Sequence, residues 1–213
     1  MHRMTVMLFI CLAGCQQQLS VKEQLEKLGA WVGANQQGEF VLVNLSETQI
    51  TDAGLVHLKE LTKLQGLVLS ETQITDTGLV HLGGLINLNY LVLNETQITD
   101  AGLVHLKTLT NLQDLILTLT RITDTGLVHL EELTSLQRLV LDNTRITDVG
   151  LVHLGGLTNL QYFELNETQI TDTGLVHLER LTNLVHLDLR GTRVTDAGVA
   201  ELKKSLPGCA IYH

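Results

Sequence analysis

A repeat of 24 residues occupies most of this chain and limits the folds that it can adopt. The segment ETQITDTGLVHL at residues 71–82 recurs with few changes, and seven copies align without insertions over residues 37–204. One copy is too small to offset, by burying apolar surface, the conformational entropy that its backbone loses on folding. Neighbouring copies must therefore pack on one another, as they do in a solenoid.

The apolar residues of each copy change their spacing once. Leu67 and Leu69 are two residues apart, as in a β-strand, whereas Leu79 and Leu82 are three apart, as in a helix. Each copy is predicted to form one strand, one turn and one short helix. The composition fits stacked aliphatic layers, since aromatic residues make up only 3% of the chain. The formal net charge of −9 argues against a nucleic-acid partner.

The consensus LxxLxxLxLxxTxITDxGLxxLxx resembles the leucine-rich repeat, and its ITDxGLxxL half is similar to the cysteine-containing class of that family. The resemblance covers residues 37–204. It implies an α/β solenoid with a curved parallel sheet on the concave side and short helices on the convex side. One position departs from the family pattern, because Thr72 and its equivalents stand where Asn or Cys is usual. We predict that these hydroxyl groups form a ladder that satisfies the turn backbone between adjacent coils.

Two further residues of the repeat have local structural interpretations. Asp76 precedes the helical stretch and is predicted to cap it, by accepting hydrogen bonds from the first free amide groups. Gly78 is predicted to let the turn and the neighbouring coil approach closely. Neither residue needs a ligand to explain its recurrence in every copy.

The segment before the repeats is predicted to close the N-terminal end of the solenoid, which would otherwise leave its core open. This cap would comprise residues 15–36. Ser20 and Glu23 have the spacing of a capping box, and the apolar stripe after them predicts a helix over 20–33. The residues NQQG at 35–38 then predict a turn into the first strand of the repeats.

The segment after the repeats, residues 205–213, is predicted to form a C-terminal capping strand. Ile211 follows Leu187 by one full repeat length, so residues 209–212 keep the register of the preceding strands. Cys209 is then expected to be a buried structural thiol and not a nucleophile.

The chain begins with MHRMTVMLFICLAGC, in which a short basic start precedes an apolar run and small residues. The run is too short to span a bilayer, which takes about 20 residues, but it has the pattern of a secretory signal. LAGC at residues 12–15 resembles the lipobox of bacterial lipoproteins. The resemblance implies that residues 1–14 are a signal peptide, that Cys15 is acylated, and that this lipid holds the protein on a bacterial membrane in the cell envelope.

Binding is expected where the copies differ, on the face of the sheet that points away from the core. Val68, Val92, Ile116 and Val140 are predicted to form an exposed apolar stripe along this concave face. Tyrosine and arginine side chains lie beside the stripe, a combination typical of interface hot spots. The predicted contact residues for a protein partner are Tyr90, Val92, Ile116, Leu119, Arg138, Val140, Tyr162, Glu164, His186 and Asp188.

Two other clusters contain residue types that could carry chemistry. One histidine per copy, from His57 to His177, forms a column on the convex side, and copying of one ancestral repeat explains it without a metal. Near the C-terminus, polar residues are predicted to share the concave face without a nucleophile or a pocket beside them. They are Tyr162, Glu164, His186, Asp188 and Arg190. We therefore expect no catalytic site, no metal site and no cofactor.

Two functions remain open at this point. The first is a lipid-anchored binding module that recognises another protein through its concave face. The alternative is a structural or self-associating envelope component, in which the apolar stripe packs against another copy in a possible homodimer. A dimer that forms in a concentration-dependent manner would favour the alternative. An enzyme is the third class of function, and it is the least favoured.

Overall fold

The computed structural model describes residues 21–213. Over this range nine strands form one sheet in chain order. The last eight strands are parallel, and the first pairs antiparallel with the second. The strands are β1 (Trp31–Ala34), β2 (Phe40–Asn44), β3 (Gly66–Val68), β4 (Tyr90–Val92), β5 (Asp114–Ile116), β6 (Arg138–Val140), β7 (Tyr162–Glu164), β8 (His186–Asp188) and β9 (Ala210–Tyr212).

Short helices return the chain from each parallel strand to the next, from β2 onward. The α-helices are α1 (21–27 in the described range), α2 (Asp76–Leu79), α3 (Asp100–Leu103), α4 (Asp124–Leu127), α5 (Asp148–Leu151) and α6 (Asp196–Ser205). The 3₁₀ helices are Asp52–Leu58, Val104–Leu106, Val128–Leu130, Val152–Leu154 and Gly174–Leu178. None of the helices between residues 21 and 213 has the length and apolar character that crossing a bilayer requires.

The register between neighbouring parallel strands is constant. Leu67 lies opposite Leu91, and the same shift of one repeat continues to the last pair, where Leu187 lies opposite Ile211. The predicted α/β solenoid is confirmed, with one strand and one short helical segment in each repeat. The closing strand β9 lies in the register that the spacing of Ile211 predicts.

The core is a single column of stacked aliphatic layers. In the second repeat Leu67, Leu69, Ile74, Leu79 and Leu82 are all fully buried, and their equivalents in the first six repeats belong to the same cluster. Fully burying one such side chain stabilises the fold by about 1.5–3 kcal/mol. The chain therefore folds as a stack in which each layer covers the next.

The threonine column acts within each coil and not between coils. The buried Thr72 hydroxyl donates to the carbonyl of Leu69 at 2.7 Å, three residues earlier in the same turn. Thr96, Thr120, Thr144 and Thr168 repeat this bond. The prediction of a ladder between adjacent coils was therefore wrong, because the short side chain reaches the nearest free carbonyl, which belongs to its own turn.

The aspartate column, by contrast, ties one coil to the next. Asp76 is the first residue of α2, whose N-cap is Thr75, so the prediction that Asp76 caps its own helix was wrong. Its carboxylate accepts instead from Thr99 of the following repeat, from the backbone N–H at 2.8 Å and from the hydroxyl at 2.6 Å. The close approach expected at Gly78 is present, since a Cβ there would lie 2.5 Å from Oδ1 of Asp52 in the preceding repeat.

The N-terminal cap differs from its predicted form. The helix ends after residue 27, and Trp31–Ala34 forms β1, which pairs with β2 in a hairpin around the predicted turn at 35–38. Gly29, with φ of 89°, ends the helix: its N–H bonds to Glu26 and that of Ala30 to Leu25. This pattern is a Schellman motif, in which glycine takes up the left-handed conformation after the last turn. The predicted capping box of Ser20 lies outside the described residues.

Candidate functional site

The concave face of the sheet displays the side chains on either side of the buried leucine in each strand. Side chains alternate along a strand, so the residues flanking Leu91 in β4, namely Tyr90 and Val92, point away from the core. The same alternation holds in the following strands. It places Ile116, Arg138, Val140, Tyr162, Glu164, His186 and Asp188 on the concave face. Leu119 lies on the turn after β5 instead, in the left-handed conformation with φ of 56°.

The apolar stripe is less exposed than predicted. Val92 and Val140 are only 4% and 3% exposed, although neither belongs to the core cluster behind the sheet. Val92 lies in register between Val68 and Ile116, which are half-buried themselves. The assignment of these residues to the concave side agrees with the register, but their expected exposure was wrong, because adjacent strands on a concave surface bring their side chains together. The valines form the floor of the face and not its outermost layer.

Trp31 is the most exposed aromatic residue on this face, and the sequence prediction missed it by placing it in a helix. In β1 it lies opposite Asn44, so it shares the concave side, and it is 60% exposed. Its indole lies over Gly33, where a Cβ would meet the ring at 2.9 Å. The signal that could have revealed it is Gly29, which ends the helix two residues earlier.

All tryptophan and tyrosine residues of the sequence lie on this one face. The chain contains one Trp and three Tyr, which are Trp31, Tyr90, Tyr162 and Tyr212. Tyr212 in β9 pairs with Asp188 and contacts the ring of His186, with 5.2 Å between the centroids. Tyr162 lies on the other side of His186 at 6.1 Å. The described phenylalanines, by contrast, are both buried behind the sheet.

The C-terminal half of the concave face is polar and charged. Arg138 Nη2 lies 2.7 Å from Glu164 Oε1, and both line an open depression of about 410 Å³ together with Asp114, Tyr162 and His186. Asp188 is bound by Arg190, whose Nε donates to Oδ1 at 2.8 Å. The structure thus brings together the C-terminal cluster that was predicted to share a face.

Burial and hydrogen bonding shift the pKa values of the carboxylates in this region in different directions. Burial raises the pKa of Asp142, and the nearby Glu164 adds to that rise against the hydrogen bond from Asn166. Burial also raises the pKa of Asp114, and the positive charge of Arg138 offsets part of this rise. Burial would raise the pKa of Asp188 too, but its hydrogen bonds to Arg190 outweigh that effect and lower it. The polar half therefore holds two carboxylates whose charge is not fully compensated by the protein.

The remaining reactive residues are not gathered into a site. Within residues 21–213 no group of three or more metal-ligating side chains lies close enough to hold an ion. The histidine column is half-buried on the convex side, where burial and the nearby Lys107 lower the pKa of His129. Cys209 is buried as expected, and burial raises the pKa of its thiol. The arrangement on the concave face is one that can bind, since aromatic and charged groups converge there.

Comparisons with known proteins agree with this architecture. Leucine-rich-repeat family profiles match residues 134–194 and 108–130. The structure is similar to internalin C2 of Listeria monocytogenes, with a TM-score of 0.66 and 31% identity over 80% of this chain and 69% of that protein. This chain therefore belongs to the leucine-rich-repeat family.

Two further solved structures are similar over smaller parts of their length. A leucine-rich-repeat protein of Leptospira interrogans matches with a TM-score of 0.58 and 28% identity, over 74% of this chain and 39% of that one. Another internalin of Listeria monocytogenes shares the fold at 24% identity and a TM-score of 0.58, over 80% of this chain and 52% of that one. No curated protein matches the sequence.

Proposed function

We propose that this protein is a binding module that recognises another protein through its concave face. The observation that carries the proposal is the placement of its single Trp and its three Tyr on that face, whereas the described Phe residues are in the core. Tyr and Trp combine a large apolar surface with a polar group, which makes them common at interfaces. The fold does not need them there, since aliphatic residues and the two described phenylalanines fill the core.

The proposed contact surface has an apolar half and a charged half. Trp31, Tyr90 and Ile116 form the first, above the covered floor of Val92 and Val140. The charged half contains Arg138, Tyr162 and His186. Glu164 and Asp188 lie beside them, and Tyr212 lies at the end of this half. Leu119 lies outside the sheet, on the turn side of the solenoid. Aromatic and arginine side chains of this kind usually contribute most of the binding free energy of an interface.

We also propose that the module is held at a bacterial membrane by lipid on Cys15. The proposal rests on the sequence alone, because Cys15 and the signal peptide lie outside the described residues. Lipoproteins of this kind carry more than one acyl chain, and two or more chains give stable anchoring where a single chain does not. A membrane-bound module of this kind would present its concave face to partners in the cell envelope.

The proposal is tested by capture from the host envelope with matched variants. Trp31→Ala combined with Tyr162→Ala removes one anchor from each half of the concave face. Val176→Ala is the control, because this convex residue is exposed to a similar degree. We expect wild type and the control to retain the same partner, and the double variant to lose it. Equal retention by all three proteins would rule out the concave face as the binding surface.

A further inference from the structure

The charged half of the concave face carries more negative than positive charge. Four carboxylates lie in this half, on Asp114, Asp142, Glu164 and Asp188. The two guanidinium groups beside them are already engaged. Arg138 is paired with Glu164 at 2.7 Å, and Arg190 binds Asp188. Two carboxylates are therefore left without a cation of their own.

The two remaining carboxylates, those of Asp114 and Asp142, are half-buried, which makes their charge costly. Neither forms an ion pair within residues 21–213. Burial raises the pKa of Asp142, and the neighbouring carboxylates of Glu164 and Asp188 raise it further. A positively charged group brought by another molecule would offset this cost.

Three rings lie in a row beside these carboxylates. His186 lies between Tyr162 and Tyr212, and its ring centroid is 6.1 Å from that of Tyr162 and 5.2 Å from that of Tyr212. Both tyrosines are about half exposed. Tyr162 and His186 also line the open depression of about 410 Å³, together with Asp114 and Glu164. Aromatic faces beside carboxylates suit a guanidinium group, which stacks on rings and pairs with carboxylates.

The positions of Asp114 and Asp142 suit one extended segment. Asp114 lies opposite Arg138 in register, and Asp142 follows Arg138 by four residues. The two aspartates are thus about 13 Å apart along the strand direction, a distance that an extended chain covers with two residues four positions apart. Arg138 does not neutralise Asp114, because its guanidinium donates to Glu164.

We propose that the charged half of the concave face receives a basic segment of the partner protein, with an arginine side chain in the depression. This guanidinium pairs with Asp114 and stacks on the ring of Tyr162 or His186. A second basic residue of the segment lies over Asp142. The inference rests on the proposed function and adds to it the chemistry of the partner.

A metal ion fits this surface less well than a basic side chain does. Within residues 21–213 no three ligating side chains are grouped to hold an ion. The spacing of Asp114 and Asp142 keeps them from sharing one, and hard cations such as Ca²⁺ take oxygen ligands and not aromatic faces. The rings of Tyr162 and His186 are explained by a guanidinium group and not by a metal.

A pair of synthetic peptides tests the proposal on the full chain in detergent, labelled with ¹⁵N. The first is a seven-residue peptide, blocked at both ends, with arginine at its second and sixth positions and glycine elsewhere. The second carries citrulline at the same two positions, which keeps the shape of arginine and removes its charge. At low salt concentration the arginine peptide should shift the amide resonances of β5–β8. It should bind on the order of tenfold more tightly than the citrulline peptide, as expected for two partly exposed ion pairs.

Matched variants separate a local site from the net charge of the chain. Asp114→Asn with Asp142→Asn removes two negative charges from the concave face and keeps an acceptor oxygen for the backbone N–H of Asn166. Glu71→Gln with Glu95→Gln removes two charges from exposed turns after the strands. Both variants should melt like wild type. The first should lose the preference for the arginine peptide, and the second should keep it.

Two results would overturn the proposal. One is equal binding of the arginine and citrulline peptides to wild type, and the other is an equal loss of affinity in the two charge variants. Either result would leave the proposed function standing as long as Trp31→Ala with Tyr162→Ala still loses the captured partner. Retention of the partner by that double variant would instead contradict the proposed function itself.

Discussion

The carboxylate of Asp100 binds Thr123 of the next repeat through both of its oxygens. Oδ1 accepts from the backbone N–H at 2.7 Å, and Oδ2 accepts from the hydroxyl at 2.6 Å. The equivalent pair recurs from Asp52 with Thr75 to Asp172 with Thr195. This column therefore stabilises the contact between consecutive coils outside the main sheet, next to isolated parallel bridges such as the one between Thr123 and Arg145.

Replacing Asp100 should weaken the stack at its centre. Asp100→Ala leaves the amide of Thr123 and the hydroxyls of Thr123 and Thr125 without their acceptor. The free energy of unfolding should fall by about 1–3 kcal/mol, as for other polar groups left unsatisfied. Denaturant melts of the variant measure this loss.

The last repeat supplies the control for that experiment. The side chain of Asp196 is fully exposed, and within residues 21–213 it accepts only from His213. Asp196→Ala should therefore change the unfolding free energy by less than about 0.5 kcal/mol. Equal losses in the two variants would mean that the aspartates act within their own helices and not between coils.

The glycine two residues after each of these aspartates is predicted to be required, because a larger side chain would not fit there. A Cβ at Gly102 would lie 2.5 Å from Asp76 Oδ1 and 3.1 Å from a methyl group of Leu79. Gly102→Ala should therefore cost about 1–3 kcal/mol through overpacking. Gly84→Ala is the control, since nothing lies within 4 Å of its Cβ position. It should be neutral or stabilising by up to about 1 kcal/mol. Similar melting of the two variants would contradict the close packing.

Acid should destabilise the fold through the aspartate column. Burial alone would raise the pKa of Asp52 and Asp148, but hydrogen bonds from the next repeat outweigh it and lower both pKa values below 3.8. The hydrogen bonds of Thr195 lower the pKa of Asp172. A carboxylate whose pKa is lower in the folded state stabilises it above the unfolded pKa, and this stability is lost as the pH falls through the folded value.

The acid range is therefore where the melting temperature should change. Above about pH 5 the contribution of these three aspartates should be nearly constant, and it should decline progressively as the pH falls below that. Asp142 has the opposite effect, because its pKa is raised in the folded protein. Ionisation of Asp142 therefore destabilises the fold as the pH rises above the pKa that this residue has in the unfolded chain. Melting temperatures that stay constant down to about pH 2 would contradict the role of the column.

Much of the architecture could be predicted because the repeat is regular. The switch from two-residue to three-residue spacing at Leu67 and Leu79 predicts strand and helix in every copy, and a constant repeat length fixes the register of strands as distant as β8 and β9. The same alternation identified the concave face. These features depend on local spacing alone, which is visible in the sequence.

The predictions from sequence that were wrong concern contacts between coils and the shape of the whole stack. The acceptor role of Asp76 toward Thr99 depends on a residue one coil away, so the local helix-capping pattern suggested the wrong partner. The burial of Val92 depends on the side chains of both neighbouring strands. Trp31 was misplaced because the apolar stripe of the cap continues past Gly29, where the helix ends.

The central claim is that the concave face binds a protein, and Trp31 offers the most direct measurement. It is the only Trp of the chain, so protein grown with 5-fluorotryptophan gives a single fluorine resonance in NMR spectra. The unlabelled partner is then added to saturation, with Trp31→Phe protein identifying the resonance. We predict that the signal shifts and becomes protected from a soluble paramagnetic quencher. A resonance that keeps its position and its accessibility while the partner is bound would contradict the account.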